Sequence, residues 1–135
     1  MNREIKFRGK RKNNGEWVYS HGIYTNKYGN VFMLYERLTL PYSPKMDGYG
    51  WVEVIPETVG QYITREDKHN NEIYEGDILE MEFGKKKERF VVIRDNGFWL
   101  KNLSSGTFYP ISISSECEII GNVHDNPKLL EEVRE

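Results

Sequence analysis

Hydrophobic and polar residues alternate along most of this chain with the two-residue period of half-buried β-strands. Ile5 and Phe7 alternate with charged neighbours, and the turn signal Asn13-Asn14-Gly15 separates them from a second run, which predicts a hairpin over residues 4–20. Similar runs predict strands at residues 22–25, 31–35 and 51–55. We therefore predict an N-terminal β subdomain over residues 1–64.

Two stretches interrupt this pattern. Residues 41–50 contain two prolines and two glycines, which disfavour any regular element, so we predict a loop there. Residues 65–71 are polar and charged, and we place the boundary to a second subdomain in this stretch.

The second half of the chain repeats the strand pattern. Leu79, Met81 and Phe83 alternate with Glu80 and Glu82. Further apolar runs follow, with turn signals roughly every ten residues. This spacing predicts a small SH3-like β-barrel over residues 72–123, because closure of a sheet limits its exposed edges.

The chain ends with a predicted helix over residues 126–135. Asn126 suits the capping position and Pro127 the first helical position. Leu129, Leu130 and Val133 then share one face, which we expect to dock on the barrel or on another subunit. The predicted fold class is therefore mainly β, with a minor α+β contribution from this helix, in one compact unit.

Composition narrows the classes of function. Nineteen basic and twenty-one acidic residues give a net charge of −2, which argues against a continuous basic coat for nucleic acid or membrane. Cys117 is the single cysteine, so the chain forms no internal disulfide. The N-terminal residues lack the apolar segment of a signal peptide, and no apolar run is long enough to span a bilayer. We expect a cytoplasmic protein without membrane contact.

Four carboxylates lie close together in sequence, which raises the question of a metal site. They are Glu75, Asp77, Glu80 and Glu82. Glu80 and Glu82 share a strand face opposite apolar residues, which is typical of a solvent-exposed face, and Glu75-Gly76-Asp77 is typical of a turn. The structural interpretation is favoured, and a metal-dependent nuclease built on Glu75 and Asp77 is a distant alternative.

The other reactive side chains predict no catalytic site. His21, His69 and His124 have no metal-ligand spacing with one another or with Cys117. The carboxylates beside Cys117 raise the pKa expected for its thiol and oppose a nucleophilic role. No nucleophile elbow or phosphate-binding glycine loop is present. We therefore predict no enzyme activity, no metal and no small-molecule cofactor.

Two basic clusters are the candidates for nucleic-acid binding. The first contains Arg8, Lys10, Arg11 and Lys12, and the second contains Lys85, Lys86, Lys87 and Arg89. The second cluster lies on a predicted hairpin of the barrel, where basic and aromatic side chains together can bind a single strand. The alternative is a solvated hairpin that opposes edge pairing.

Three blocks of sequence resemble the YopX-type proteins of phages and prophages. They are Arg3–Lys10, the central Gly60-Gln61-Tyr62 through Ile73–Ile78, and Ile119–Leu130. The blocks occur in the family's order and span the chain. The run Ile63-Thr64-Arg65-Glu66-Asp67 departs from the Tyr-Thr-Gly-Leu-Lys run that is more usual there, which puts the local turn in question.

The resemblance implies a phage or prophage origin, a mostly β fold and a place in the cytoplasm of a bacterial host. It implies no catalytic residues. We predict a non-enzymatic accessory protein that acts through protein–protein contacts, including self-association into a homo-oligomer. The alternative is a small-barrel nucleic-acid-binding protein that uses Lys85, Lys86, Lys87 and Arg89.

Overall fold

The computed structural model describes residues 4–34 and 50–131, and most of these residues lie in β-strands, which confirms the mainly β fold class. The chain divides into an N-terminal unit, Met1–Gln61, and a C-terminal unit, Tyr62–Glu135. The predicted loop at 41–50 lies, apart from Gly50, outside the described residues, as does Val133 of the predicted helix. None of the helices in the described ranges is long and apolar enough to cross a membrane.

The N-terminal unit contains a hairpin and a three-stranded antiparallel sheet. Its strands are β1 (Phe7–Lys10), β2 (Trp17–Ser20), β3 (Ile23–Thr25), β4 (Val31–Leu34) and β5 (Trp51–Val54). Strands β1 and β2 form the hairpin predicted within residues 4–20, with Phe7 opposite Ser20, and β3, β4 and β5 pair in chain order. Gly60 and Gln61, the first residues of β6 (Gly60–Glu66), pair with β1 on the side away from β2.

One face of the three-stranded sheet forms the core of this unit. Met33 and Val54 are fully buried there against Val18, and Ile23, Val31 and Val52 pack around them. Burial of each such side chain stabilises the unit by about 1.5–3 kcal/mol. Because side chains alternate along a strand, the residues between these core positions lie on the outer face.

The C-terminal unit is built on a curled five-stranded antiparallel sheet. Its strands are β6 (Gly60–Glu66, from Tyr62 onward), β7 (Glu72–Tyr74), β8 (Asp77–Phe83), β9 (Lys86–Arg94), β10 (Phe98–Asn102), β11 (Phe108–Pro110) and β12 (Glu118–Asn122). The five-stranded sheet has the order β11-β10-β9-β8-β12, and β6 pairs with β7 beside it. Leu79, Phe90, Leu100 and Cys117 are completely or almost completely buried at its centre.

Two details of this unit differ from the sequence predictions. Phe83 was predicted to face inward with Leu79 and Met81, but its side chain is 53% exposed because β8 ends there in a tight turn. The described part of the predicted C-terminal helix is a 3-10 helix, Pro127–Leu130, and the Asn126 side chain does not cap it. The Asn126 carboxamide oxygen instead accepts a hydrogen bond from the Asn122 backbone N–H.

Candidate functional surfaces

Three aromatic rings lie together on the outer face of the three-stranded sheet. Tyr24, Phe32 and Trp51 come from β3, β4 and β5, one from each strand, and Tyr24 is the register partner of Phe32. We call these three residues the aromatic face. The side chains of Tyr24 and Trp51 are 54% and 50% exposed, although large aromatic residues are usually buried in a core.

The three rings line one shallow pocket of about 290 Å³. Tyr24 occupies the middle, because its ring centroid lies 6.2 Å from that of Phe32 and 6.1 Å from that of Trp51. The Tyr24 ring is tilted by 38° to the Phe32 ring and by 53° to the Trp51 ring, so the three rings pack against one another without forming one flat platform. An exposed apolar pocket of this kind marks an interaction surface more often than scattered surface aromatics do.

The polar residue beside the aromatic face is Glu53, the register partner of Phe32 on β5. Its carboxylate accepts a hydrogen bond from Asn30 at 3.0 Å and lies 3.2 Å from the Lys12 ammonium group. The charge of Glu53 is thus largely balanced locally. No cation lines the aromatic pocket among the described residues.

Sequence reasoning did not single out the aromatic face as a site. The signal was present in β3, β4 and β5, whose residues apart from Thr25 and Glu53 are apolar or aromatic on both faces. A sheet that packs on one side only needs one apolar face. The second apolar face becomes visible as a cluster only when the three strands are placed in register.

The predicted nucleic-acid site lies on the β8–β9 hairpin, where the structure separates its four cations into two pairs. We call Lys85, Lys86, Lys87 and Arg89 the lysine hairpin. Arg89 donates to the Glu80 carboxylate at 3.1 Å and to the Leu129 carbonyl at 3.5 Å, and the Lys87 ammonium lies 3.8 Å from Glu80. Lys85 and Lys86 are exposed, and none of the described residues forms an ion pair with them.

The electrostatic setting of the lysine hairpin is acidic. The C-terminal unit contains ten basic and fifteen acidic residues, whereas the N-terminal unit contains nine basic and six acidic ones. The hairpin is therefore a local positive tip on a unit with a net charge of −5. The exposed Phe83 lies directly opposite Lys86 at the base of this tip.

The first basic cluster is engaged in contacts within the N-terminal unit. The Arg8 guanidinium lies 4.6 Å from the centre of the Trp17 ring, and the Lys10 ammonium lies 5.4 Å from it. Arg8 is only 6% exposed, and Lys12 pairs with Glu53. In the folded unit, Arg8 and Lys10 therefore make cation–π contacts with Trp17, and Lys12 makes an ion pair with Glu53.

Three of the four clustered carboxylates have structural contacts, and the fourth, Glu82, is exposed. Asp77 is buried, and its carboxylate accepts a hydrogen bond of 2.7 Å from the Tyr74 backbone N–H, across the turn that Gly76 makes with a φ of 94°. Glu80 pairs with Arg89, and Glu75 lies 3.7 Å from Arg94. Within residues 4–34 and 50–131, no three His, Cys, Asp or Glu side chains form a group that could hold a metal ion.

Asp67 connects two segments that are far apart in sequence, which the sequence did not reveal. One carboxylate oxygen accepts from the His69 and Asn71 backbone N–H groups, and the other accepts from the Ile119 N–H at 3.1 Å. Burial acts to raise the pKa of Asp67, but the hydrogen bonds from Asn71, Ile119 and His69 together outweigh it, so the pKa is lowered. Asp67 is a structural residue that ties the β6–β7 loop to β12.

The closing block of the chain is also structural. A Cβ atom on Gly121 would lie 2.6 Å from the Asn126 carboxamide oxygen and 3.0 Å from a Leu129 methyl group, so only glycine allows this approach. The Asn122 carboxamide oxygen accepts from the His124 and Asp125 backbone N–H groups. The leucine predicted to dock the C-terminal helix thus contacts its own unit.

Cys117 is an inert thiol of the core. It is completely buried, and its Sγ lies 3.5 Å from the Ile113 carbonyl oxygen. The pKa of the Cys117 thiol is raised to about 11, chiefly by burial and in smaller part by the charge of Glu116. The neighbouring carboxylate therefore acts in the direction that the sequence predicts, but burial is the larger cause.

Comparison with known proteins identifies the family. The model of the family described as YopX protein matches residues 6–131, which confirms the resemblance carried by the three sequence blocks. Among curated proteins, none matches the chain. A solved structure, the crystal structure of protein EF1440 from Enterococcus faecalis, matches with a TM-score of 0.55 and 19% sequence identity. The match covers 93% of this chain and 97% of that one, and at this identity it shows a shared fold alone.

Proposed function

The chain belongs to the YopX family, and we propose that it is a non-enzymatic phage or prophage accessory protein that acts in the host cytoplasm through protein–protein contacts of its aromatic face. One observation carries the proposal. Tyr24, Phe32 and Trp51 form a single exposed apolar pocket on a sheet whose opposite face is already the core of the unit. Tryptophan and tyrosine supply much of the binding energy at protein interfaces, so a cluster of them on a rigid sheet suits a contact surface.

A photo-crosslinking experiment in the host tests this proposal. A benzophenone side chain replaces Tyr24 in the full chain, and the matched control carries it at Tyr28, which is 78% exposed in the same unit but does not line the pocket. We expect an ultraviolet-dependent protein adduct from position 24 that disappears when Trp51→Ala is added. Adducts that form equally from both positions, or from neither, would contradict the proposal.

Self-association belongs to the same proposal. A second copy of the chain is then one of the proteins captured from position 24, and mixing two isotopically labelled populations distinguishes it from a different partner. Light scattering of the purified chain measures the mass directly. A monomer at all concentrations tested would remove self-association and leave contact with another protein.

A second candidate function is nucleic-acid binding at the lysine hairpin, in a C-terminal unit whose curled sheet is an incompletely closed SH3-like barrel. The supporting observation is the exposed group of Lys85, Lys86 and Phe83: the two ammonium groups form no ion pair with any residue in 4–34 or 50–131, and the exposed Phe83 ring could stack on a base. Lys87 and Arg89 support it less, because both contact Glu80.

Filter binding of single- and double-stranded oligonucleotides at low and high salt tests this second candidate. Phosphate contacts release counterions, so genuine binding weakens steeply with salt. We expect Lys85→Glu with Lys86→Glu to abolish it, whereas Lys68→Glu with Lys101→Glu, an equal charge change elsewhere on the same unit, leaves most of it. Equal losses of oligonucleotide affinity in the two double variants would show that binding depends on net charge alone, and this result would rule out the lysine hairpin as a specific site.

A further inference from the structure

We infer that Asn96 is a site of covalent modification, which deamidates in the folded protein through a cyclic imide formed with Gly97. The site is the exposed tip of the β9–β10 hairpin, Asp95-Asn96-Gly97. Asparagine followed by glycine favours this reaction, because glycine has no Cβ atom to crowd its own backbone nitrogen. The chain contains a second such pair, Asn14-Gly15, whose surroundings differ.

The reaction consumes only water and is catalysed by base. After hydroxide removes the proton of the Gly97 backbone N–H, the nitrogen attacks Cγ of Asn96 and forms a new C–N bond. The bond from Cγ to Nδ2 breaks, and the leaving nitrogen takes a proton from water, departs as ammonia and regenerates hydroxide. Water then opens the imide at either of its two carbonyl carbons, which gives aspartate or isoaspartate. One water is consumed and one ammonia is released, without oxidation or reduction.

The two asparagine–glycine pairs share the features that make the backbone accessible. Asn14 and Asn96 are both exposed, and both glycines have a positive φ, 75° at Gly15 and 121° at Gly97. A Cβ atom on Gly15 would meet no atom of the described residues within 4 Å, and one on Gly97 would meet the Trp99 indole nitrogen at 3.9 Å. Exposure and crowding therefore do not distinguish the two sites.

Hydrogen bonds restrain the first pair. The Gly15 N–H donates to the Arg11 carbonyl oxygen at 2.9 Å, so the nitrogen that would attack is engaged. The Asn14 carboxamide oxygen accepts from the Glu16 backbone N–H, also at 2.9 Å, which fixes the orientation of the side chain. An engaged amide loses its proton to base only after local opening of its hydrogen bond, so the folded state protects Asn14.

The corresponding groups of the second pair are accessible. The Asp95 N–H donates to the Gly97 carbonyl at 2.7 Å, a bond that uses the oxygen of Gly97 and not its nitrogen. Within residues 4–34 and 50–131, no group forms a hydrogen bond with the Gly97 N–H or with the Asn96 carboxamide. The Trp99 indole N–H donates to the Asp95 carbonyl at 2.9 Å, which fixes the base of the turn and not its reacting groups.

The products change both the charge and the length of the hairpin tip. Either product places a second carboxylate beside Asp95, in a unit that already has a net charge of −5. Isoaspartate also inserts a methylene group into the backbone between Arg94 and Phe98, which are register partners. Because the length of a hairpin loop selects its turn geometry, the modified tip presents a different surface.

The test is a mass-spectrometric time course of the purified full chain at mildly alkaline pH, folded and in concentrated urea. Trypsin isolates the two sites in the peptides Asp95–Lys101 and Asn13–Lys27, and fragment ions assign each mass change to one residue. In the folded chain, Asn96 should deamidate roughly ten-fold faster than Asn14, because two hydrogen bonds restrain Asn14. In urea, where both bonds are lost, the two rates should be similar.

Asn96→Gln is the matched control. Its longer side chain forms the imide far less readily, so the mass change in Asp95–Lys101 should disappear while the rate at Asn14 stays unchanged. Circular dichroism of each sample checks that the chain stays folded. A methyltransferase specific for isoaspartate should label the natural chain, because the imide opens at both carbonyl carbons, whereas direct hydrolysis of the side chain gives only aspartate.

Four outcomes would overturn the inference. They are equal rates at Asn96 and Asn14 in the folded chain, a faster rate at Asn14, reaction at neither residue while both react in urea, and aspartate as the sole product at Asn96. The first three would show that the hydrogen bonds of the two turns do not control the reaction, and the fourth would remove the imide.

Discussion

The two units of this protein use their distinctive residues in opposite ways. In the C-terminal unit, the side-chain oxygens of Asp67, Asp77 and Asn126 accept hydrogen bonds from the unit's own backbone. In the N-terminal unit, Tyr24 and Trp51 leave half of their surface exposed. Many residues in and next to the central and closing sequence blocks therefore stabilise the C-terminal unit, whereas the surface best suited to a partner lies in the N-terminal unit.

The largest expected difference between the units concerns two aromatic residues. Phe90 is 1% exposed in the C-terminal core, so Phe90→Ala should lower the free energy of unfolding by about 3–5 kcal/mol. Trp51→Ala should lower it by only about 1–2 kcal/mol, because half of that residue is already in contact with solvent. Urea unfolding followed by circular dichroism measures both. Similar losses would show that Trp51 is a core residue and would break the comparison.

Gly121→Ala should also lower the free energy of unfolding, because Gly121 lies in the tightly packed closing block of the C-terminal unit. The added methyl group would lie 2.6 Å from the Asn126 carboxamide oxygen, and overpacking of this kind costs about 1–3 kcal/mol. The control is a double-mutant cycle with Asn126→Ala, measured by thermal unfolding. We expect the combined loss to be smaller than the sum of the single losses, because the second change removes the clash. Strict additivity would assign the cost of Gly121→Ala to another cause.

Because the pKa of Asp67 is lowered, we expect the free energy of unfolding of the C-terminal unit to depend on pH. Asp67 has a lower pKa in the folded than in the unfolded chain, so it contributes stability above the unfolded pKa of about 3.9, and this contribution is lost as the pH falls through the folded pKa. Asp67→Asn should therefore be less stable than the natural chain at neutral pH, and the difference should narrow as the pH falls below the unfolded pKa. A difference that stays constant over this range would show that the charge of Asp67 does not matter.

The smallest expected effect is at Thr64, where the chain departs from the run more usual in its family. Thr64 has a φ of 66°, in the left-handed region that costs a residue with a Cβ atom about 1–2 kcal/mol. Since glycine loses more backbone entropy on folding, Thr64→Gly should raise the free energy of unfolding by about 0.5–1 kcal/mol. Thr25→Gly, in an ordinary strand position, should lower it. A loss at Thr64 would mean that its side chain makes a contact that outweighs the strain.

The lysine hairpin shows where sequence reasoning overestimated a site. Lys85, Lys86, Lys87 and Arg89 form one positive cluster in the sequence. Pairing of β8 with β9 places Glu80 opposite Arg89 and within 3.8 Å of Lys87, so two of the four cations share one carboxylate of the neighbouring strand. A linear sequence shows which charges are adjacent in the chain, but it does not show which opposite charges lie beside them on the paired strand.

The sequence by itself determined the strands, the turns and the family. Each of these depends on local chemistry: a two-residue period, glycine and asparagine at positions of positive φ, and blocks read in order. Only the tertiary structure decided which residues meet. It placed Asp67 on the Ile119 N–H across 52 positions, and it gathered Tyr24, Phe32 and Trp51 from three strands into one pocket. Contacts between distant residues depend on register and on packing of the whole unit, and neither is written in any short stretch of the chain.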